Sequence, residues 1–388
     1  MRRTQLPLSV ACPKLQETIY TLMSTAVTTR IECSEIEKVL FGNDEVFFLH
    51  VLHAFSSLSL GTKQGADGAK LSLNNAKRIE SWSSPWEASY FTIGQLVLKK
   101  KYTQALAYLE RHLLEWPHDL FALKCVELVS YLRGELVDLA WIEKIVERSF
   151  FSCQENSFYA AFYGRILFLR GDHSRALKVL EKGMEHPIGK LTRLELLLKA
   201  GQIHQAATFV ESVESHFLSS FFLLHVGTHS ELSGIVSTVC STAGTVKEKI
   251  QGLTLLVALD LRGVQVEWDH VHPLIESDFD PFLIPFVTGV RLYYLEKTGN
   301  NGLALYSSIL DVVRSLEGEE RTVWDKIGIP FLEAIRSAAH GKKETLFSLM
   351  RTNEFAPLIG GGTFEHFCFR NDLDSFCSHS QNDEGKNS

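Results

Sequence analysis

Apolar residues recur along this chain at the three- and four-residue spacing of an amphipathic helix. Leu106, Leu109 and Leu113 follow this spacing in one segment, and Leu177 and Leu180 begin another example. Residues at i, i+3 and i+7 share one face of a helix, whereas a half-buried strand alternates apolar and polar residues. Such alternation is rare in this sequence. The pattern therefore predicts an all-α protein.

The same periodicity predicts helices on both sides of the central region. Before it, helices are predicted at 14–28 and 45–60, with a glycine-containing loop at 61–68. After it, the turn Gly299–Gly302 separates two further candidates. The predicted helices of this later part cover residues 247–262, 285–298, 303–316, 330–339 and 344–351.

A unit with a characteristic turn recurs in the middle of the chain. In each copy a helix ends, a turn residue follows, and a second helix begins. The turn residues Lys100, Gly134, Gly171 and Gly201 are 34, 37 and 30 residues apart in succession. These distances scatter around the roughly 34 residues of a tetratricopeptide unit. Glycine suits the turn because it takes the left-handed backbone conformation at a helix end without strain.

A small residue stands five positions after three of these turns, at Ala105, Ala176 and Ala206. A small side chain lets the two helices of a pair approach closely, and Pro117 ends the second helix of the first pair. We therefore predict an α-solenoid of degenerate tetratricopeptide-type helix pairs. The predicted segments are an N-terminal helical segment (1–82), the repeats (83–246), a C-terminal helical region (247–377) and a disordered tail (378–388).

Composition and charge narrow the classes of partner. The net charge is −7 and is spread along the chain, so no basic face favours nucleic acid or an anionic membrane. No run approaches the roughly 20 apolar residues that a membrane helix needs. The seven cysteines are scattered and form no Cys-x-x-Cys pair, and no signal peptide is evident. We expect a cytoplasmic protein that binds neither nucleic acid nor membrane.

Several short motifs, taken in order, suggest a family. They are Leu6-Pro7-Leu8-Ser9, the segment from Trp116 to Lys124, Gly328-Ile329-Pro330 followed by Ala334, and Gly360-Gly361-Gly362. Over most of its length the chain resembles the tetratricopeptide repeat protein 38 family. The resemblance implies a helical repeat fold rather than a particular biochemical role.

The chain departs from that family at its polar pairs. Where the family has a His-Asp pair, this sequence has Glu127-Leu128, and where the family has a His-x-x-x-His pair it has Lys190 and Leu194. A second His-x-x-x-His pair is retained as His225 and His229. If family members build a site from these polar residues, most of that site would be absent from this chain.

His225 and His229 are the only weak metal candidates among these residues. At i and i+4 on a helix they share a face and could bind one ion. No third ligand can be assigned, and we favour the interpretation that these are two helix-packing or surface histidines. No phosphate loop or nucleophile elbow is present, so we predict no catalytic residue and no cofactor. The alternative function is a small-ligand or metal-dependent enzyme, with a pocket between the repeats and the C-terminal region that uses His225, His229 and His366.

The inner surface of the repeats is the predicted interaction site. Solenoids present the first helix of each pair inward. An aromatic groove with basic residues would dock a helix or an extended acidic segment of a protein or peptide partner. The alternative is that half of these aromatic residues belong to the core. The predicted groove residues are Tyr90, Phe121, Lys124, Tyr131, Phe158, Arg165 and Lys199.

Overall fold

The computed structural model describes residues 6–28, 33–59, 63–80, 83–133, 138–213, 216–227, 231, 246–268, 271 and 285–352. The regular secondary structure of these residues is helical, and no strand occurs among them. The prediction of an all-α protein is therefore confirmed for the described part of the chain.

The helices are numbered here in chain order. The first group comprises α1 (Pro13–Thr28), α2 (Cys33–Leu40), α3 (Phe47–Leu58), α4 (Lys63–Arg78), α5 (Pro85–Leu98), α6 (Tyr102–Glu115), α7 (Leu120–Arg133), α8 (Leu139–Arg148), α9 (Phe150–Cys153), α10 (Ser157–Leu169) and α11 (His173–Leu180). The second group comprises α12 (Pro187–Lys199), α13 (Ile203–Val213), α14 (His216–Val226), α15 (Val246–Leu261), α16 (Pro285–Thr298), α17 (Gly302–Ser315), α18 (Gly318–Val323), α19 (Ile329–Ala339) and α20 (Lys343–Thr352). A short π-helical segment, Trp324–Gly328, connects α18 to α19.

The chain divides into two compact units, and the division falls inside α12, between Arg193 and Leu194. In the first unit α3 packs against α4, α5 against α6, and α10 against α11. The predicted N-terminal segment 1–82 therefore belongs to the same unit as the first repeats, and the predicted repeat region 83–246 extends over both units. In the second unit α16 packs against α15, α17 and α19, and α19 packs against α20.

The loop predicted at 61–68 is wrong for residues 63–68, because α4 begins at Lys63 and contains Gly65 and Gly68. Gly68 lies where α4 packs on α3. A Cβ added at Gly68 would lie 3.4 Å from the Ser57 hydroxyl oxygen on α3. This distance is an ordinary van der Waals contact, so Gly68 lies within a regular helix and does not mark a loop.

The predicted turn geometry is confirmed wherever the turn residue is described. Lys100, Gly171 and Gly201 have φ values of 56°, 85° and 68°. After each turn residue, the next backbone N–H reaches back to a carbonyl in the last turn of the helix; the Lys101 N–H, for example, donates to the Leu96 carbonyl at 2.8 Å. This is the Schellman pattern, which satisfies the carbonyls at a helix end. Gly134 lies outside the described residues.

The same turn recurs in the second unit, where the sequence repeat had faded. Gly263, Gly299 and Gly341 have φ values of 80°, 70° and 68°. The Val264 N–H donates to the Leu259 carbonyl at 3.0 Å, as the Schellman pattern requires. The five helices predicted in this part of the chain are also confirmed, each within one residue at either end. Helix–turn–helix connections of one geometry therefore occur in both units.

The expected close approach of paired helices is found as well. Ala105, Ala176 and Ala206 are fully buried. On α10, a Cβ added at Gly164 would lie 2.6 Å from Leu180 Cγ on α11. Because real Cβ atoms do not approach so closely, only glycine fits at this contact.

Candidate functional site

Four helices of the first unit, α3, α5, α7 and α10, are joined in succession through aromatic side chains. We call α3, α5, α7 and α10 the first-helix layer. The rings of Phe48 on α3 and Tyr90 on α5 have centroids 5.7 Å apart, and those of Tyr90 and Phe121 on α7 are 5.2 Å apart. The Lys124 ammonium of α7 lies 5.3 Å from the ring centroid of Phe158 on α10. These contacts connect α3 to α5, α5 to α7, and α7 to α10.

The N-terminal helix α1 lies on this layer. It packs against α3 and α7. Just before it, the Ser9 N–H donates to Glu87 Oε1 on α5 at 3.2 Å. At its other end, the Val27 carbonyl is 3.2 Å from Nε2 of His186, which directly precedes α12. Helix α1 and the residues just before it therefore contact α3, α5 and α7 of the first-helix layer and the residue that precedes α12.

The face that α1 buries is apolar. Ile19, Met23 and Val27 follow the i, i+4, i+8 spacing, and Leu22 lies beside them; their exposed fractions are 0, 5, 4 and 9%. The opposite face carries exposed polar residues such as Glu17. Each side chain of this size contributes about 1.5–3 kcal/mol when it is fully buried. The α1 helix is therefore an amphipathic helix laid with its apolar side on the layer.

The structure corrects the prediction of an open aromatic groove. Tyr90, Phe121, Phe158 and Arg165 are all buried, with 0, 4, 0 and 5% of their surface exposed. The aromatic rings face neighbouring first helices, and Arg165 lies over the Phe168 ring of its own helix at 5.2 Å. These four side chains belong to the core, which is the alternative that the sequence left open.

The remaining predicted groove residues differ from these four. Lys124 is partly exposed and pairs with Glu127 one turn along α7, at 2.5 Å. Lys199 is exposed at the end of α12. The side chain of Tyr131 lies outside the described part of the structure. Lys124 is therefore the basic residue of the predicted set that lies at a contact between two first helices.

Beneath the layer, a buried carboxylate joins α5, α6 and α7. Asp119 Oδ2 accepts hydrogen bonds from the Trp86 indole at 2.6 Å, the Tyr90 hydroxyl at 2.7 Å and the His112 Nε2 at 3.0 Å. Its Oδ1 accepts from the backbone N–H groups of Phe121 and Ala122, so Asp119 also caps α7. We call Trp86, Tyr90, His112 and Asp119 the Asp119 cluster. Burial, and then the nearby Asp119 carboxylate, raise the pKa of Tyr90 well above its ordinary value.

Ser89 extends this cluster into a Ser–His–Asp series. Its hydroxyl oxygen lies 2.5 Å from His112 Nδ1 and also donates to the Trp86 carbonyl at 2.9 Å. A catalytic serine needs a free hydroxyl that faces a substrate cavity. A cleft of about 300 Å³ on α5 is lined by residues that include Phe91 and Thr92, but by no member of the series. The Ser89–His112–Asp119 series therefore fits a structural role, in which it connects helices α5, α6 and α7.

The Asp119 cluster was not predicted from the sequence. A local signal for part of it existed, because Asp119 follows Pro117 and directly precedes the helical run that begins at Leu120. An acidic residue at that place is typical of an N-cap. No local pattern indicated that Trp86, 33 residues earlier, would donate to the same carboxylate.

The predicted histidine site receives no support from the described residues. His225 is exposed near the end of α14, whereas His229 and His366 lie outside the described part of the chain. Within that part, no three His, Cys, Asp or Glu side chains are grouped so that they could hold a metal ion. His53, in the apolar helix α3, is hydrogen-bonded to Ser72 at 2.7 Å.

Comparison with known proteins adds no family assignment. A scan against models of known protein families finds no match for this chain. A search of curated protein sequences likewise finds no match. In the described residues, no helix is both long and apolar enough to cross a lipid bilayer.

Proposed function

We propose that this chain is a tetratricopeptide-type helical scaffold, a divergent relative of the tetratricopeptide repeat protein 38 family, that binds a protein or peptide partner. The recurrence of one turn geometry at Lys100, Gly171, Gly201, Gly263, Gly299 and Gly341 supports the repeat assignment. The turns at Lys100, Gly299 and Gly341 each join two helices whose lengths differ by at most one residue, as stacked helical hairpins require.

The observation that carries the binding function is the placement of α1. Helix α1 packs against α3 and α7 of the first-helix layer, and its apolar side chains Ile19, Leu22, Met23 and Val27 are buried. Laying the apolar side of a helix on a hydrophobic surface is a common mode of peptide recognition. A surface that accepts a helix from its own chain has the shape and the apolar character to accept one from a partner.

Lys124 is the residue that we assign to the polar side of this contact. It lies on α7, the helix against which α1 packs, and about a quarter of its side chain is exposed. Its ammonium is shared between Glu127 and the Phe158 ring, so an acidic group on a partner would compete with Glu127 for it. We expect partners with an aliphatic helix face flanked by an acidic residue.

The four cysteines of the described residues, Cys12, Cys33, Cys125 and Cys153, are free thiols. Free thiols favour a reducing compartment, and on this ground we propose a cytoplasmic location. Subcellular fractionation of cells that express the full chain would test it. Recovery of the chain in an oxidising compartment would contradict the proposal.

The binding function is tested by selecting helical peptides from a display library on the immobilised full chain. Selected peptides should bind Lys124→Glu at least tenfold more weakly than the wild-type chain. The matched control is Lys178→Glu, which makes the same charge change at an exposed position of α11 and should bind like wild type. If both variants bind the peptides equally well, or if no peptide is selected, the proposed function fails.

A further inference from the structure

We infer that α1 is an exchangeable internal ligand. The surface of α3 and α7 that it covers would bind, in trans, an amphipathic helix with aliphatic residues at the same spacing, and α1 would leave to admit it. This inference rests on the proposed function, and it adds the chemistry of the partner and a means of regulation.

The chemistry of the occupant follows from α1 itself. Its buried face is aliphatic, with Ile19, Met23 and Val27 at i, i+4 and i+8. The helix contains one lysine, Lys14, and one acidic residue, Glu17, so its charges cancel. Recognition of α1 therefore depends on apolar surface and shape, and the partner helix must present an aliphatic stripe of the same period.

The layer does not depend on α1 for its assembly. α3 is paired with α4, and α5 with α6, in hairpins of their own. The Asp119 carboxylate joins α5, α6 and α7 through hydrogen bonds from Trp86, Tyr90 and His112, and no residue of α1 takes part in them. Departure of α1 would expose apolar surface but would leave these connections intact.

At the N-terminal end of α1 the contact is made by Glu87, which also takes part in the cap of α5. Glu87 belongs to the capping box of α5, in which its Oε2 accepts from the Ser84 N–H at 2.7 Å. Its other oxygen, Oε1, accepts from the Ser9 N–H at 3.2 Å. When Ser9 leaves, the cap of α5 remains and Oε1 can be hydrated at the surface.

At the C-terminal end of α1 the contact is made by His186, which also caps the start of α12. His186 Nδ1 accepts from the Ile188 N–H at 3.3 Å, at the start of α12. Since that nitrogen is the acceptor, Nε2 carries the proton and donates to the Val27 carbonyl. Removal of α1 therefore leaves the bond to Ile188 in place. At both ends α1 is held by residues that keep their own helix caps when it departs.

Tethering makes α1 a strong competitor in the resting chain. A short linker gives a tethered ligand an effective concentration in the millimolar range. A free helix must overcome that concentration, so the wild-type chain binds it weakly. Damage to the buried face of α1 should increase the affinity for a free helix at least tenfold.

The test uses the full chain and a fluorescein-labelled peptide with the 16-residue sequence Pro13–Thr28. Fluorescence anisotropy compares wild type, the double variant Ile19→Asp/Met23→Asp, and the control double variant Lys14→Asp/Thr21→Asp on the exposed face of α1. We expect the first variant to bind the peptide at least tenfold more tightly than wild type, and the control to match wild type. A peptide with the same two aspartates at its apolar positions should not bind.

A folded Ile19→Asp/Met23→Asp chain that binds the peptide no better than wild type overturns the inference. If that variant does not fold, hydrogen exchange of the wild-type chain decides the matter. Amides of α1 should exchange at least tenfold faster than those of α7 if α1 opens separately, and equal protection of the two helices would overturn the inference. Library peptides whose binding is weakened by Lys124→Glu but unchanged by Ile19→Asp/Met23→Asp would support the proposed function and overturn this inference.

Discussion

The His112 imidazole lies 3.0 Å from the Asp119 carboxylate, and neither side chain is exposed to solvent. His112 is in the last turn of α6 and Asp119 caps α7, so this contact fixes the corner between the two helices. Because Asp119 also accepts from Trp86 and Tyr90 of α5, one carboxylate sets the positions of three helices.

Replacement of this carboxylate should destabilise the first unit strongly. Asp119→Asn keeps an oxygen that can cap α7, but its amide nitrogen cannot accept from Trp86, Tyr90 or His112. Breaking a buried charged network costs about 3–5 kcal/mol, and we expect a loss near 3 kcal/mol in urea denaturation. The control is Asp138→Asn, the same change at the exposed cap of α8, which should cost less than about 1 kcal/mol. Equal losses for the two variants would contradict the role assigned to Asp119.

The turn at Lys100 offers a stabilising substitution. A side chain in the left-handed region costs roughly 1–2 kcal/mol, and Lys100 adopts φ 56° where the later turns have glycine. Lys100→Gly should raise the free energy of unfolding by about 0.5–1 kcal/mol, after allowance for the greater flexibility of glycine in the unfolded chain. Lys99→Gly is the control, because Lys99 has φ −83° and gains nothing from glycine. A lower denaturation midpoint for Lys100→Gly would refute this account.

The contact between α10 and α11 tolerates no added methyl group. Gly164→Ala places a Cβ against Leu180 and should destabilise the chain by about 1–3 kcal/mol. Gly68→Ala, within α4, meets only an ordinary contact at Ser57 and should be neutral or stabilise by up to about 1 kcal/mol. Thermal denaturation of both variants compares the two sites. A neutral Gly164→Ala would show that the two helices do not approach as closely as described.

Stability should fall at alkaline pH because buried groups resist ionisation. Burial, and then the nearby Asp119 carboxylate, raise the pKa of the Cys153 thiol to about 12. Burial, and then Glu333, raise the pKa of Tyr306 to about 12. A raised pKa in the folded state gives stability that is complete below the ordinary value of the group. That stability is lost as the pH rises toward the folded value.

Urea denaturation at pH 8 and at pH 11 should therefore show a loss at the higher pH. The variant Cys153→Ala should reduce that loss by about 1–2 kcal/mol. In the folded chain the buried thiols of Cys153 and Cys125 should react with a thiol reagent far more slowly than the exposed Cys12. Rapid modification of Cys153 at pH 8 would contradict its described burial.

Local sequence signals were sufficient to locate most helices and their turns. The turns at Gly171 and Gly201 were predicted correctly, since a left-handed helix end requires few residue types. The same local rule failed at 61–68, where Gly68 lies inside helix α4 and forms no turn, whereas Gly164 is required by its contact with Leu180. A glycine has the same appearance in the sequence whether its backbone conformation or a neighbouring helix requires it.

The sequence by itself determined the helical class, the spacing of the turns and the set of aromatic residues from which the first-helix layer is built. These features depend on interactions between residues only a few positions apart. Only the tertiary structure decided that Tyr90 and Phe121 are core residues, that Asp119 joins three helices, and that α1 covers the layer. Ser9 and Glu87 are 78 residues apart, and Val27 and His186 are 159 apart. Contacts at such distances leave no periodic trace in one sequence, because they arise only when separately formed helices pack together.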